Sequence, residues 1–385
     1  MAKWPRQIVF GDVDAMFASA AVVADPSLAG KPIAVGGPPP RGIIAAASYA
    51  VRSFGVHSAM PTAQAMQLCP NLILLPPDRP LYKRLHEQMR AVTNRLFPIT
   101  EWSSIDEFYA DATHLQLLHP DPTVLGRTVK DAIFEATGLR CTIAIATSKP
   151  VAKVAADAHK PDGLAIIAPG TEAAFLASRP VKSLPGIGPK TAESLERIGV
   201  RTIGDLLDPR FESSLKRIWG KRLPIVQALA QGKDDDPVVP EREQKSLGHE
   251  TTFDHDTNDP AFLEKTLRGF LAELTHELRL EGLAAGSFTV KLKDSTHRVT
   301  TKQHHFPKPL NDDPMMWPEI RAALNSLLAP RTKYRLAGVT LGDLVPAPAG
   351  LFDQKRSKAL AAMDAIIEKH GAKSIGLGGT SGENR

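Results

Sequence analysis

The sequence predicts an α+β protein of several units, the last of them a separate small α+β domain. Three observations predict it. Strand-like and helix-like segments alternate from residue 7 to about residue 169. Short helices then flank the turn Leu184-Pro185-Gly186-Ile187-Gly188-Pro189. After a polar, proline-punctuated stretch, a second set of helices and alternating strands begins near residue 246. The chain's 385 residues exceed one ordinary core and fit two to four compact units.

Taken in order, Gln7–Val13 is an apolar, β-branched run ending in acidic residues and reads as a buried strand. Ala15–Ala24 is Ala-rich and helical, closed by Asp25-Pro26. Pro32–Gly37 and Gly42–Ala46 read as short strands on either side of Pro38-Pro39-Pro40, and Pro61–Leu68 as a short amphipathic helix. Leu81, Leu85, Met89, Val92 and Leu96 recur at steps of three to four, the period of a helix face. Ile99–Asp111 holds acidic residues between two strand-like pieces. Pro122–Thr137 reads as a helix, Thr142–Ala146 as a strand and Lys149–His159 as a helix stopped by Lys160-Pro161-Asp162-Gly163. This alternation predicts a sheet with helices on one face.

Beyond about residue 170, short helices fill Pro180–Leu207, and Leu215–Gly232 reads as helical. The stretch from Asp234 to Lys245 is polar and charged, as a linker is. Pro260–Leu280 and Trp317–Leu328 read as helices, and Ser287–Lys293 and Leu336–Leu341 as half-buried strands. The tail after Leu344 is rich in Pro, Ala and Gly, with one helical segment at Ser357–Lys369.

Hydrophobic residues make up 43% of the chain and charged residues 23%, an ordinary globular balance. The longest apolar runs, such as Ile43–Ala47, fall far short of the roughly 20 residues a membrane span needs. Met1-Ala2-Lys3-Trp4-Pro5 leads straight into a strand without a signal-peptide core. Cys69 and Cys141 have no CxxC partner, which argues against a zinc or disulfide framework. The chain reads as cytoplasmic, not membrane-bound, and nothing in it demands an oligomer, so it reads as a monomer. A net charge of +5 and a pI near 9.1 are compatible with a polyanionic partner without requiring one.

Three carboxylates stand out: Asp12 in Gly11-Asp12-Val13-Asp14, and Asp106 with Glu107 in Ser103-Ser104-Ile105-Asp106-Glu107. Each lies at the end of an apolar strand-like segment, where a carboxylate is costly unless paired or bound to a cation. Mg²⁺ takes hard oxygen ligands, and two such ions clamp the oxygens of a phosphoryl transfer. Neighbours on a regular strand face opposite ways, so Asp106 and Glu107 can share a metal site only at a hairpin turn or bulge. The alternative is that Asp106-Glu107 is a solvated turn and that Asp12 caps the helix from Ala15.

Five motifs add specificity. Asp12-Val13-Asp14-Ala15-Met16-Phe17-Ala18-Ser19 resembles the first motif of Y-family, DNA polymerase IV-like translesion polymerases. Ala47-Ser48-Tyr49-Ala50-Val51-Arg52-Ser53-Phe54-Gly55 resembles their Tyr-Glu-Ala-Arg-x-Phe-Gly motif, and Ser104-Ile105-Asp106-Glu107 their Ser-Ile-Asp-Glu motif. Lys153 through Lys160-Pro161-Asp162-Gly163 resembles their Lys-Pro-x-Gly motif, and Leu184 to Thr191 their thumb hairpin. The motifs follow the family's order over residues 8–345.

The resemblance implies a right-hand polymerase: a palm at 1–16 and 82–169, fingers at 17–81, a helix-hairpin-helix thumb at 170–237, a linker at 238–245, a little finger at 246–345 and a flexible tail at 346–385. It implies template-directed addition of dNTPs to a primer 3′-OH, with primer-template DNA as partner, distributive and tolerant of damaged templates. Asp12, Asp106, Glu107 and the carbonyl of Val13 would hold two Mg²⁺ ions, for which Mn²⁺ can substitute. Tyr49, Arg52 and Lys160 would bind the triphosphate, where fixed cations and donors stabilise developing charge. Phe17 would be the steric gate beneath the sugar. The alternatives are a half-buried core ring for Tyr49, a surface arginine for Arg52, a solvated lysine for Lys160 and core packing for Phe17. Small residues Ala45, Ala46 and Ala47 would crowd a base pair little. Ala46, Ala50, Val51 and Ala21 depart from common family residues, yet none of them is a presumptive metal ligand. Asp14 has no assigned role beyond structural hydrogen bonding.

Gly186 and Gly188 allow close backbone approach, and the amides before Lys190 suit a DNA phosphate. In the little finger, Thr289, Lys291 and Lys293 alternate with Phe288, Val290 and Leu292, and Arg298, Lys302 and Lys308 follow. Such a basic stripe fits sequence-independent phosphate contacts, or else a solvated edge strand guarded by lysines. Leu351-Phe352 ends like a sliding-clamp peptide without its glutamine. Two rival readings fit the sequence less well: a nucleotidyl cyclase on a similar palm would lack the thumb hairpin and basic domain, and an inactive DNA-binding scaffold of the same family would be expected to lose a carboxylate.

Overall fold

The computed structural model describes residues 4–240, 243–347, 360, 362–366 and 369–370. The chain divides into two compact units, 1–242 and 243–385. Unit 1 runs β1 (Ile8–Val13), α1 (Met16–Ala24), β2 (Ile33–Gly36), β3 (Ile44–Ala47), α2 (Tyr49–Arg52), α3 (Thr62–Leu68), β4 (Ile73–Leu75), α4 (Arg79–Leu96), β5 (Thr100–Trp102), β6 (Glu107–Asp111), α5 (Pro122–Thr137), β7 (Cys141–Ala146), α6 (Lys149–His159) and β8 (Leu164–Ile166). The short helices α7 (Glu172–Ala177), α8 (Pro189–Arg197), α9 (Glu212–Trp219) and α10 (Leu223–Ala230) follow.

Its main sheet has the order β5-β6-β1-β7-β8, with β1 at the centre, antiparallel to both β6 and β7. Every residue of β1 and of β7 is buried. Ile8 and Phe10 face a core made with α6 and the helices beyond residue 172, whereas Val9 and Val13 face a core made with α4 and α5. The sheet therefore carries helices on both faces, which corrects the expectation of one. The apolar run Ile8–Phe10 that opens β1 is the pattern of a strand buried on both sides.

Gly11 is the break in that run. It stands between Phe108 on β6 and Ile143 on β7 in register. A Cβ there would lie 2.3 Å from Phe108 Cε1 and 2.9 Å from Ile143 Cδ1, so the two neighbouring side chains occupy the space a side chain would need. A second, three-stranded sheet, β3-β2-β4, packs its small residues with α2 and α3 around Val51, Met60 and Ala65. The helix expected over Leu215–Gly232 is two helices, α9 and α10, separated at Gly220, whose φ of 53° breaks the first.

The segment read as the start of the linker is fastened to unit 1. Arg6 donates to the carbonyls of Asp234 (2.8 Å) and Asp236. The buried Glu101 carboxylate accepts from Lys149 Nζ at 2.6 Å and from the Val239 amide at 3.0 Å, and Val238 is buried.

Unit 2 forms one four-stranded antiparallel sheet in the order β11-β10-β12-β9. Its elements are β9 (Ser246–Thr257), α11 (Pro260–Leu280), β10 (Leu283–Asp294), β11 (Val299–Leu310), α12 (Asp313–Leu327) and β12 (Tyr334–Pro346). Leu263, Leu267, Leu271, Leu274 and Leu278 line one face of α11 and bury against Phe288, Val290, Leu292 and Val339. Each such leucine contributes about 1.5–3 kcal/mol of burial. Residues 362–366 are helical, and Asp364 accepts from His276 and Arg279 of α11 at 2.7 Å. Among the described residues no helix is long and apolar enough to cross a membrane.

Gly11→Ala should destabilise unit 1 by about 1–3 kcal/mol, because Phe108 and Ile143 must move in a close-packed sheet. Trp4, Trp102 and Trp219 lie in unit 1 and Trp317 in unit 2. Denaturation followed by tryptophan fluorescence in a Trp317→Phe background therefore isolates the effect, and an unchanged midpoint would contradict this packing.

Candidate active site

The register of β1 builds the site. Asp12 lies directly opposite Glu107, the first residue of β6. Residues 103–106 turn the chain between β5 and β6, so Asp106 sits in the connection and not on the strand. This removes the alternating-face problem for adjacent carboxylates. The turn is fastened: the Val13 amide donates to the Asp106 carbonyl at 3.0 Å, Ser104 Oγ donates to Asp106 Oδ1 at 2.5 Å, and the Glu107 amide donates to Ser104 Oγ at 3.1 Å. The alternative role for Asp12 is not what the structure shows. Helix α1 begins at Met16 with Ala15 at its N-cap and no side-chain capping bond.

Helix α6 brings cations to these acids. Lys153 Nζ lies 2.6 Å from Glu107 Oε1. Lys160, just past the helix, lies 2.5 Å from Asp12 Oδ2 and 3.2 Å from Asp157 Oδ1. Burial pushes the Asp12 carboxyl up to about 7; Lys160 opposes this, and the Glu107 and Asp106 charges add to it. Burial also pushes Glu107 up, but the Lys153 hydrogen bond and charge outweigh it and hold that carboxyl below its usual range. Burial alone would lower Lys160, yet Asp12 keeps it raised. Asp12 and Glu107 are held by lysines and Asp106 by Ser104, and no three His, Cys, Asp or Glu side chains among the described residues are gathered as a metal cage.

The other predicted residues surround this centre. Phe17, in the first turn of α1, is half-buried and stacks on Tyr82 of α4 with centroids 4.3 Å apart. Tyr49 opens α2, and its hydroxyl donates to Asp14 Oδ1 at 3.3 Å. Burial, with the Asp14 charge next, pushes that hydroxyl's pKa up, so it stays a donor. The Arg52 guanidinium lies over the Tyr49 ring at 4.0 Å and donates to the Ala47 carbonyl at 3.3 Å. Tyr49 and Lys160 are thus tied, through Asp14 and Asp12, to the end of one strand.

Sequence reasoning assigned no role to Lys153 or Tyr82. Lys153 falls within a quoted motif at a spacing that signals only a helix face. Tyr82 sits in the first turn of α4 beside the Leu81 periodicity, where an aromatic reads as core.

Farther off, Gly186 adopts φ +91°, a conformation that favours glycine, and Gly188 precedes α8. Lys190 is exposed in the first turn of that helix. In unit 2, Phe288, Val290 and Leu292 are buried, and Thr289, Lys291 and Lys293 lie on the opposite face of β10. The single basic stripe is corrected. Lys291 pairs with Glu250 at 2.6 Å, and Lys302 lies opposite Val290, which places it on the other face from Lys291. Arg298 is exposed in the turn before β11. Leu351 and Phe352 lie outside the described residues.

Paired acids at one strand end with flanking lysines, in a unit that also carries a helical hairpin, form a charged centre suited to phosphoryl chemistry. Sequence profiles for the impB/mucB/samB family match residues 11–157, those for its C-terminal domain residues 244–354 and those for its HHH motif residues 169–200. DNA polymerase IV of Methanoculleus marisnigri is 38% identical over 89% of this chain and 96% of its own length. DNA polymerase IV of Alkalilimnicola ehrlichii is 37% identical over 92% and 99%. Among solved structures, a Y-family DNA polymerase chimera of Dbh and Dpo4 superimposes with TM-score 0.80 at 27% identity, covering 88% of this chain and 99% of that one. An insertion ternary complex of Dbh DNA polymerase matches with TM-score 0.63 at 27% identity and the same coverage. The chain belongs to the impB/mucB/samB family and is a DNA-directed DNA polymerase of the DinB-like Y-family type.

Because Asp12 is raised from 3.8 to about 7, the native state holds a proton that the unfolded chain gives up across that window, and ionisation there lowers stability. Asp12→Asn escapes this loss. In chelator, the variant's melting temperature minus that of the wild type should therefore grow by a few degrees between about pH 5 and pH 8. A flat or shrinking difference would contradict the burial of this carboxyl.

Proposed function

We propose that this polymerase adds deoxynucleotides to a primer 3′-OH by two-metal-ion nucleotidyl transfer, in synthesis past damaged template. The observation that carries the reading is the pairing of Asp12 with Glu107 across the strands, with Asp106 beside them. Three hard oxygen donors at one strand end suit Mg²⁺ and equally Mn²⁺. Burial, with the Glu107 and Asp106 charges adding to it, raises Asp12, and a divalent cation relieves that cost. Asp12, Asp106, Glu107 and the Val13 carbonyl would hold the two ions. Once bound, they would supply activation of the 3′-OH and neutralisation of the triphosphate and leaving pyrophosphate.

The chain's own groups do the rest. Lys160 exchanges Asp12 for a phosphate oxygen of the incoming dNTP. Lys153 stays on Glu107 and fixes its orientation. The Arg52 fork and the Tyr49 hydroxyl donate to the triphosphate, where charge develops. The Phe17 ring, braced by Tyr82, lies beneath the sugar and excludes a ribose 2′-OH. Palm (1–16 and 82–169), fingers (17–81), thumb (170–237), linker (238–245) and little finger (246–345) divide the work. Gly186, Gly188 and Lys190 in the thumb, and Lys293, Arg298 and Lys302 in the little finger, contact phosphates of primer-template DNA, with Lys291 released from Glu250. The protein acts as a cytoplasmic monomer, and Leu351-Phe352 docks on the sliding clamp.

Primer extension with Mg²⁺ and single dNTPs tests the reading. The wild type should add the complementary nucleotide, and Asp106→Ala should lose at least about 10²–10³-fold in rate. Two inactive proteins that still bind primed DNA would instead support a scaffold of the same family. Phe17→Ala should raise ribonucleotide insertion relative to deoxynucleotide by at least about tenfold. An unchanged ratio would remove the gate from this residue.

A further inference from the structure

We propose that Asp14 is a positioning residue that couples the two sides of the nucleotide's phosphate site. It does so by holding Tyr49 and the loop that carries Lys160 on one buried carboxylate. The inference rests on the reading of Tyr49 and Lys160 as triphosphate contacts.

Asp14 is 5% exposed. A carboxylate so buried persists only where donors compensate for its lost water. Three donors do. Oδ1 accepts from the Tyr49 hydroxyl at 3.3 Å and from Thr142 Oγ1 at 3.0 Å, and Oδ2 accepts from the Asp162 amide at 2.7 Å. They come from three separate elements: the start of α2, the buried strand β7 and the loop after α6. The main chain of Asp14 is fixed as well. Its amide donates to the Arg140 carbonyl at 3.1 Å, and its carbonyl accepts from Ser19 Oγ at 2.5 Å. Both side-chain oxygens are engaged in this way.

The loop it holds needs support. Asp162 adopts φ +52°, a conformation unfavourable for a residue with a Cβ. A Cβ on Gly163 would lie 2.1 Å from the His159 carbonyl oxygen, so the chain passes very close to the end of α6. Arg140 Nη1 and Lys130 Nζ reach the Asp162 carboxylate at 2.9 and 2.8 Å, and Lys130 also donates to the Gly163 carbonyl at 3.0 Å. Thr142 relays the hold: its hydroxyl donates to Asp14 and accepts from the Gly163 amide at 3.2 Å. The loop is thus braced from α5, from the residue before β7, from Thr142 of β7 and from Asp14 just after β1. Asp14 is the brace that also reaches Tyr49. A pocket ordered before binding loses less freedom when the nucleotide arrives, so the effect falls on nucleotide affinity more than on the chemical step.

The test measures the Kd of the complementary dNTP on dideoxy-terminated primed DNA, where no bond can form, beside kcat and KM on an extendable primer. Asp14→Asn keeps the shape but presents an amide NH₂ to a donor. It should raise Kd and KM by about tenfold, the equivalent of one charge-assisted hydrogen bond, with kcat changed by less than about threefold. Thr142→Val should shift Kd in the same direction, and Thr142→Ser, which keeps the hydroxyl, should shift it less. If Asp14 acts through Tyr49, the Asp14→Asn and Tyr49→Phe effects on Kd should combine to less than their product. A fall in kcat at unchanged Kd in both Asp14→Asn and Thr142→Val would overturn the proposal. Should Asp14→Asn fail to fold, Thr142→Val against Thr142→Ser decides it. Lys160→Ala separates the underlying reading. An unchanged Kd there would mean that Lys160 does not bind the triphosphate. A raised Kd there with an unmoved Kd in Asp14→Asn and Thr142→Val would sink the Asp14 proposal alone.

Discussion

The structure depends on holding Asp12 opposite Glu107 at the end of a strand that has no water on either face. Every residue of β1 is buried, Asp12 among them. Like charges so placed repel and lose hydration, and here Lys153 and Lys160 offset them. The arrangement has one register. A slip of one residue between β1 and β6 would turn Asp12 to the face of the sheet away from Glu107 and carry each apolar side chain of β1 into the other core. Gly11 helps fix that register, because Phe108 and Ile143 close over it from both neighbouring strands.

The remaining parts of unit 1 take their places from this strand end. Helix α6 lies on one face of the sheet and carries Lys153, with Lys160 one residue beyond its end. The small sheet β3-β2-β4 ends in α2, which sets Tyr49 against Asp14 and stacks Arg52 on it. Phe17 follows β1 directly through the left-handed Ala15 and rests on Tyr82. Lys160, Tyr49, Thr142 and the Asp162 amide are thus each one hydrogen bond from Asp12 or Asp14. Unit 2 has its own leucine-built core on α11 and presents lysines on both faces of its sheet.

Much of this was legible in the sequence, for physical reasons that differ by element. The apolar run at Ile8–Val13, the helical period of Leu81 to Leu96 and the leucines of α11 announce elements whose burial is periodic or complete. The acidic residues stood out because carboxylates seldom follow such runs. Strands β9 and β11 were not legible. In β9 only Leu247 and Phe253 are buried hydrophobics, and in β11 only Phe306, since both strands lie at sheet edges with polar residues on both faces. The two-sided packing of β1 was misread because the alternation of elements does not say which face each helix covers. Lys302 was misplaced in a basic stripe because its face depends on pairing with Val290, a register that composition does not carry. The Lys153–Glu107 contact and the side-chain bonds of Asp14 join residues from 35 to 148 positions apart, beyond the reach of any local pattern.

The account stands most directly on whether these carboxylates bind metal. Titration of Mn²⁺ into the protein with dideoxy-terminated primed DNA and the complementary dNTP, followed by electron paramagnetic resonance, counts the ions without any turnover. The account predicts about two per chain in the wild type and a loss of at least one in both Asp12→Asn and Glu107→Gln, with DNA binding retained. Unchanged stoichiometry and affinity in both variants would contradict it.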